Sequence, residues 1–363
     1  MRSVGVEEEL LLVDPDSGVP CAVALAVLAS AAQERAEKEE AFQAELQREQ
    51  LEFSTSPQTE MGELAEEIRR CRERVSAYAR AWGAAAVALA TSPLPVTPSL
   101  GSATRHQWLA ERFGMTAQEQ LTCGCHVHVS VASDEEGVAV LDRIRPWLSV
   151  LTALSANSPF WQGRDSGYSS YRSRVWGRWP SAGPTEIFGS ADRYHGIVRD
   201  MLATGALLDE GMVYFDARLA HSYPTVEIRV ADVCLDARTT VVLAALSRAL
   251  VETAARQWEN GEPASRHGIP LLRLAAWQAA RSGLDGSLVH PLSMRPAPAE
   301  SVVRAFLHHV EDSLADHGDL SLVRSGLAAL LDSGTGARVQ RELLKGTGTL
   351  ADVVRACLVR TAA

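Results

Sequence analysis

The sequence predicts an α+β fold, a mainly antiparallel sheet flanked by helices with a helical C-terminal third. Three observations carry this expectation. Residues 4–13, 50–56, 121–132, 212–219 and 225–230 are rich in Val or alternate in polarity, as strands do, and all fall in the first two thirds. Strands in the first two thirds followed by helices suggest a mainly antiparallel sheet and not alternating βα units. From Pro270 onward apolar residues recur at helical spacing, interrupted at 286–291 and 295–298.

The elements follow in order. After the strands 4–13 and 50–56, residues 62–90 read as a helix, with Leu64, Ile68, Cys71, Val75 and Tyr78 spaced by three and four. Ser133 and Glu136 form a capping-box pattern, opening a helix through Leu154 that Pro146 should kink. Residues 157–188 read as a long loop dense in Trp, Tyr and Arg, a composition typical of functional loops. A further helix is expected over 236–258. The chain reads as one domain over 1–363, with the sheet and its helices in 1–260 and a helical part in 261–363.

Composition excludes several classes. With 363 residues, 46% hydrophobic and 22% charged, the chain can build a sizeable core. A net charge of −10 argues against nucleic acid or an anionic membrane as partner, because phosphate surfaces require clustered basic residues. The apolar stretches 22–32 and 83–90 are shorter than the ~20 residues of a membrane helix. Glu7, Glu8 and Glu9 stand where the apolar part of a secretory signal would lie, so a cytoplasmic protein is expected. Cys21, Cys71, Cys123, Cys125, Cys234 and Cys357 are too sparse for a disulfide framework. Lysine occurs only at Lys38 and Lys345, so a phosphate gripped by a cationic side chain would meet guanidinium groups. No G-x-x-x-x-G-K-[ST] and no strand-borne G-x-G-x-x-G is present.

Strand alternation then sorts the polar groups. Glu7 and Glu9 share a face with Leu11 and Val13, whereas Glu8 joins Val6 and Leu10. Two carboxylates on one apolar face repel each other and lose hydration unless a cation lies between them; a solvated edge strand is the alternative. Glu52 and Ser54 share a face opposite Leu51, Phe53 and Thr55. Glu45 lies on a stretch of mixed charge that reads as the solvated face of a helix. In the run Cys123 to Val131, His126, His128 and Ser130 share one face, and Cys125, Val127, Val129 and Val131 the other. A Cys–His zinc cluster would need both faces at once, so the two histidines alone are candidates for metal or phosphate, or are core histidines satisfied by neighbours. Glu227, Arg229 and Ala231 lie opposite Val226, Ile228 and Val230; Glu227 and Arg229 either pair with each other or hold a metal and a phosphate oxygen.

If these strands are neighbours, the polar pairs line one surface. Hard oxygen donors dominate it, favouring Mg²⁺ or Mn²⁺ over zinc. Divalent ions beside carboxylates and arginine suit phosphoryl transfer from a nucleotide. A metal-dependent amide hydrolase on the same histidine strand, and a non-catalytic binder of metal or nucleotide, are the other classes this pattern allows.

Five segments resemble known motifs: Gly5-Val6-Glu7-Glu8-Glu9-Leu10-Leu11-Leu12-Val13-Asp14, Cys123-Gly124-Cys125-His126-Val127-His128-Val129, Gly163 to Arg172 with Arg178-Trp179-Pro180, Pro224 to Val233, and Trp277-Gln278-Ala279-Ala280-Arg281-Ser282-Gly283-Leu284. Together, over nearly the whole chain, they resemble the carboxylate–amine ligases of the glutamate–cysteine ligase type 2 family. Cys125 stands where a methionine is usual there, and Ser130 where a glycine is usual. The resemblance implies a glutamine-synthetase-like sheet, ATP, two or three Mg²⁺ ions (or Mn²⁺) and small-molecule amino-acid substrates. It implies amide formation through an acyl phosphate, typically from the γ-carboxyl of L-glutamate and the amine of L-cysteine, and a homodimer. A different acid and amine on the same fold is the alternative. Carried over by position, Glu7, Glu9, Glu45, Glu52, His126 and Glu227 resemble the metal ligands. His128 and Arg229 fall where the polyphosphate would be held, with Arg218 and Arg281 also assigned to the nucleotide. Arg229 and Arg172 are the catalytic candidates. Arg172 and Arg218, beside Tyr168 and Tyr171, are candidates for the substrate carboxylate or acyl phosphate. The loop 157–188 is expected to close over that intermediate.

Overall fold

The computed structural model describes residues 1–34 and 41–362. In chain order the strands of the main sheet begin with β1 (Val4–Val13), β2 (Ala41–Ala44), β3 (Gln50–Ser54), β4 (Ala85–Val87) and β5 (Gly124–Ser130). Two short pairs, β6 (Phe160–Trp161) with β7 (Arg164–Asp165) and β10 (Ser287–Val289) with β11 (Pro296–Pro298), stand apart from it. β8 (Ala217–Leu219) and β9 (Thr225–Asp232) complete the sheet, whose order is β2-β3-β1-β5-β9-β8, with β4 on β1 beyond the end of β5. All of its pairings are antiparallel, as the sequence predicts.

Register divides the sheet into two unlike faces. On the rear, Val6 stands opposite Val127, Leu10 opposite Leu51, and Val127 opposite Ile228, all buried. Apolar cross-strand pairs of this kind lock register, because a one-residue slip would bring every one of them to the other face. The helix Ala237–Glu259 lies behind the sheet, buried along most of its length, capped by Asp236, whose side chain accepts from the Arg238 N–H. The helices after residue 261 join the same hydrophobic core, which runs from Val4 to Cys357.

Glu8 is the exception on the rear face. It is fully buried and meets the Arg72 guanidinium in a bidentate pair, both hydrogen bonds 2.8 Å, while Thr240 Oγ1 donates to it at 2.6 Å. Arg72 also donates to the carbonyls of Cys234 (2.7 Å) and Leu235 (3.2 Å). One ion pair therefore joins β1, the helix Met61–Arg80 and the start of the helix behind the sheet.

The structure departs from the sequence reading in several places. Glu45 follows strand β2 in a hairpin with β3; it is not on a helix, and of the charged stretch before it residues 35–40 lie outside the described residues. The helix expected over 62–90 ends at Arg80, where Gly83 takes φ +68° and turns the chain into β4. At Pro146 the helix is interrupted into Asp134–Ile144 and Leu148–Ser155, since proline lacks the N–H and clashes with the preceding turn. Residues 22–32 contribute to a helix, Ala24–Glu34, and the interruptions at 286–298 form the β10–β11 hairpin. Only Ala217–Leu219 of 212–219 is strand. A bulge in β9 between Ile228 and Ala231 sets Ala231 opposite Cys125 on the rear, not beside Arg229.

Replacing Glu8 leaves Arg72 buried without its counter-charge. Glu8→Gln is expected to lower unfolding free energy by about 3 kcal/mol, read from the urea midpoint, while the front-face donor set stays assembled. An unchanged midpoint would show that the pair is dispensable.

Candidate active site

The front face of the sheet carries the polar residues that alternation singled out. Register sets Glu7 opposite His126, Glu9 opposite Glu52, His128 opposite Glu227, and Glu227 opposite Arg218. They meet at a cavity of about 740 Å³ that Glu7, Glu9, Glu45, Glu52, His126, His128, Arg218, Glu227 and Arg229 all line.

Glu7 lies between two imidazoles, with Oε2 3.1 Å from His126 Nδ1 and Oε1 3.3 Å from His128 Nε2. His128 Nδ1 is 3.0 Å from Thr225 Oγ1. Glu227 accepts from Arg218 Nε at 2.7 Å through Oε2 and pairs with Arg229 through Oε1. Arg218 also donates to the carbonyls of Gly211 and Val213, so it fixes both Glu227 and the turn before β8. Glu9 Oε2 accepts from the Gly124 N–H at 2.6 Å. Arg229 lies 5.7 Å from the Trp176 ring centre and 5.9 Å from that of Tyr214, two faces that hold a cation by attraction to the ring quadrupole.

The electrostatics separate the carboxylates. Burial, and then the neighbouring Glu9, push Glu45 up to about 8. Burial, then Glu45, Glu7 and Glu9, push Glu52 well above the usual carboxylate range. Glu7 moves the other way: burial opposes its ionisation, but the two imidazoles hold it well below that range. Burial opposes ionisation of Glu227 too, yet Arg229 and then Arg218 bring it to about 2.

Such a set suits divalent cations. Three groups have donor atoms all within 4.8 Å of one another: Glu7, His128 and Glu227; Glu7, Glu52 and His126; and Glu9, Glu45 and Glu52. His126 Nε2 is buried without a hydrogen-bond partner, the state of a ring nitrogen available to a metal. The cluster Glu9–Glu45–Glu52 needs a cation between its members to keep all three ionised. Carboxylate oxygen predominates, which matches Mg²⁺ or Mn²⁺.

Two assigned arginines lie elsewhere. Arg281, on the helix Ile269–Ser282, donates to the Gly167 carbonyl and covers the Tyr168 ring at 5.7 Å, because that helix packs beside the loop and not at the cavity. Arg172 is buried behind Gly124; a Cβ at that glycine would come within 2.2 Å of its Nη2, and the same nitrogen donates to the Arg229 carbonyl at 3.4 Å. Of the loop 157–188, Trp176 and Trp179 reach the cavity. Its first part is tied down: Asp232 accepts from the Asn157 N–H (2.8 Å), Ser158 Oγ (2.7 Å) and Ser170 Oγ (2.8 Å). A loop anchored this way to β9 is a wall of the site, so the structure does not present this part as a mobile cover. Ser54 stands opposite Glu7 but does not line the cavity.

Other lining residues carried no sequence signal. Arg105, paired with Asp209, comes from the helix Thr104–Phe113, which contains no motif. Gln50, Gln120, Thr122 and Tyr214 come from segments read only for their backbone pattern or not at all.

An antiparallel sheet presenting carboxylates, imidazoles and arginines to one cavity is an arrangement with the chemistry to hold divalent cations beside phosphate. Comparisons give the family. The family model for glutamate–cysteine ligase family 2 matches residues 3–356. The chain is 63% identical over 361 residues to a relative from Streptomyces avermitilis, covering 99% of each, and 64% identical over 363 residues, the full length of both, to one from Streptomyces coelicolor. Their names are "Putative glutamate–cysteine ligase 2-1" and "Putative glutamate–cysteine ligase 2". Among solved structures, the glutamate–cysteine ligase of Francisella tularensis in complex with AMP aligns with TM-score 0.70 at 13% identity, covering 99% of this chain and 88% of that one. A bifunctional glutathione synthetase from Pasteurella multocida aligns with TM-score 0.69 at 14% identity, covering 99% of this chain and 52% of that one. The chain belongs to glutamate–cysteine ligase family 2 and is an ATP-dependent ligase of that type, forming a C–N bond. Among the described residues, no helix is long and apolar enough to cross a membrane.

With no cation bound, Glu45 must either take up a proton or carry its charge beside Glu9, and above the ordinary carboxyl pKa both cost stability that an amide does not. Glu45→Gln is expected to raise the melting temperature in chelator by about 2 °C and to shrink the rise that added Mg²⁺ produces. Equal Mg²⁺ responses in the two proteins would take Glu45 out of the cation site.

Proposed function

We propose that the protein joins the γ-carboxyl of L-glutamate to the amine of L-cysteine at the expense of ATP, through a γ-glutamyl phosphate. The observation that carries this reading is the convergence of three donor groups with Arg218 and Arg229 on one cavity in a member of this family.

A carboxylate is a poor electrophile, and phosphorylation gives its carbon a good leaving group. In the first step a γ-carboxylate oxygen attacks the γ-phosphorus of ATP, the bond from phosphorus to the β-bridging oxygen breaks, and ADP leaves. In the second the amine nitrogen attacks the acyl carbon, phosphate leaves, and a proton is released. Glu7, Glu9, Glu45, Glu52, His126 and Glu227 would hold Mg²⁺, which on binding neutralises and aligns the phosphate oxygens. Arg229 is buried against Glu227 and two aromatic rings and so is pre-set to meet charge developing on the transferred phosphoryl group. His128, held between Glu7 and Thr225, is the polyphosphate donor on the same face. Arg218 is a positioning residue, since its donors are already committed to Glu227 and to backbone carbonyls. The same reading takes the chain as one ligase domain working in the cytoplasm, as a homodimer.

The test is ADP release measured with glutamate and cysteine, together and singly. Release that requires both supports the reading; release of amino acids from an amide without nucleotide would instead make the protein a hydrolase. Glu52→Gln is expected to reduce ligation at least 100-fold with the circular-dichroism spectrum retained. Normal turnover in that variant would remove Glu52 from the metal set.

A further inference from the structure

A second cavity, of about 540 Å³, shares Arg229 and Trp176 with the carboxylate cavity. Asp216, Arg172, Arg273, Phe215 and Trp277 also line it. It absorbs two features that the phosphoryl-transfer site leaves unused: the buried Arg172, and the late element that begins at Trp277.

Its polar groups are of two kinds. Asp216 uses its backbone carbonyl to accept from the Arg229 N–H at 3.0 Å, but its carboxylate has no hydrogen-bond or ion-pair partner among the described residues. Burial pushes that carboxyl up to about 7, and Arg273 offsets this only in part. A cation delivered to Asp216 would restore its charge. On the other side of the balance, Arg172 is 2% exposed and its Nε is buried without an acceptor. An unsatisfied guanidinium N–H of this kind favours an anion. A ligand that offers an ammonium and a carboxylate one carbon apart, with a small side chain for Phe215 and Trp277, answers both demands.

We propose that this cavity receives the amine substrate as an α-amino-acid zwitterion, its ammonium on Asp216 and its carboxylate on Arg172 and Arg273. The assignment rests on the ligase reading of the carboxylate face. Arg229 and Trp176 line both cavities, so the amine lies beside the site where the acid is activated, the proximity that amide formation requires.

The experiment separates activation from amine capture. Hydroxylamine traps an acyl phosphate as a hydroxamate without needing the amino-acid pocket, whereas L-2-aminobutyrate, a cysteine analogue that lacks the thiol, needs it. Asp216→Asn is expected to raise KM for L-2-aminobutyrate at least tenfold, to change KM for glutamate less than twofold, and to lower the ratio of amide to hydroxamate correspondingly. Arg273→Ala is expected to weaken L-2-aminobutyrate more than propylamine, which has no carboxylate. An unchanged KM for L-2-aminobutyrate, or equal rises in both KM values, overturns the proposal, as does loss of hydroxamate in both variants. If the wild-type protein forms no hydroxamate, the ligase reading itself falls. Calorimetry then decides the pocket: binding of L-2-aminobutyrate to wild type and not to Asp216→Asn supports it, and equal or absent binding overturns it.

Discussion

Glu7, Glu9, Glu45, Glu52 and Glu227 face one cavity from the sheet and its hairpin, and the cations beside them do not balance them evenly. Arg218 and Arg229 both turn to Glu227, and both imidazoles turn to Glu7. Glu9 and Glu45 are left with one backbone N–H each, from Gly124 and Leu46, and among the described residues none of Glu9, Glu45 and Glu52 forms an ion pair with a guanidinium. In a low-dielectric setting that imbalance is costly, and ionised carboxylates are kept there only where a cation completes them. The asymmetry therefore divides the face in two. One half, around Glu7 and Glu227, has cationic or imidazole partners from the protein itself; the other, around Glu9, Glu45 and Glu52, has none among the described residues.

Such a face can be sustained only if the strands that carry it cannot move apart. The restraint lies on the reverse side. β1 places three consecutive glutamates, and alternation sends the middle one into the core, where Arg72 and Thr240 hold it. Glu8 thus bolts the strand to two helices while Glu7 and Glu9 face the cavity. The same division appears along β9, where Val226 and Ile228 pack behind Glu227. A single polar face backed by a locked apolar one is how antiparallel sheets present reactive groups without losing register.

The parts legible in the sequence are those in which alternation alone decides orientation. The bounds of β1, the split of Glu8 from its neighbours, and the shared face of His126 and His128 all follow from period two. Glu45 was not readable in place, because a stretch mixing Glu, Gln and Arg has the composition of a solvated helix and of a hairpin alike. Ala231 went to the wrong face because a bulge has no signature in side-chain alternation. Arg172 and Arg281 show the limit for long cations. Their motifs are local, but where a guanidinium ends up depends on packing between distant elements, here Gly124 for one and the Tyr168 loop for the other. Arg105, Tyr214 and Asp216 lie in segments with no local pattern of chemistry, and tertiary structure alone assembles them.

Arg229 ties these threads together. Its side chain neutralises Glu227 and lies against Trp176 and Tyr214, its N–H holds Asp216, and its carbonyl receives Arg172. One residue at a strand bulge thereby lines both cavities. A bulge frees the backbone there from regular pairing, so the side chain meets Glu227 while the peptide groups bond to the Asp216 carbonyl and to Arg172. An enzyme that must activate one substrate and present a second to it needs the two sites in fixed relation. Here that relation is set by the covalent geometry of a single residue, which is stiffer than any contact between two loops.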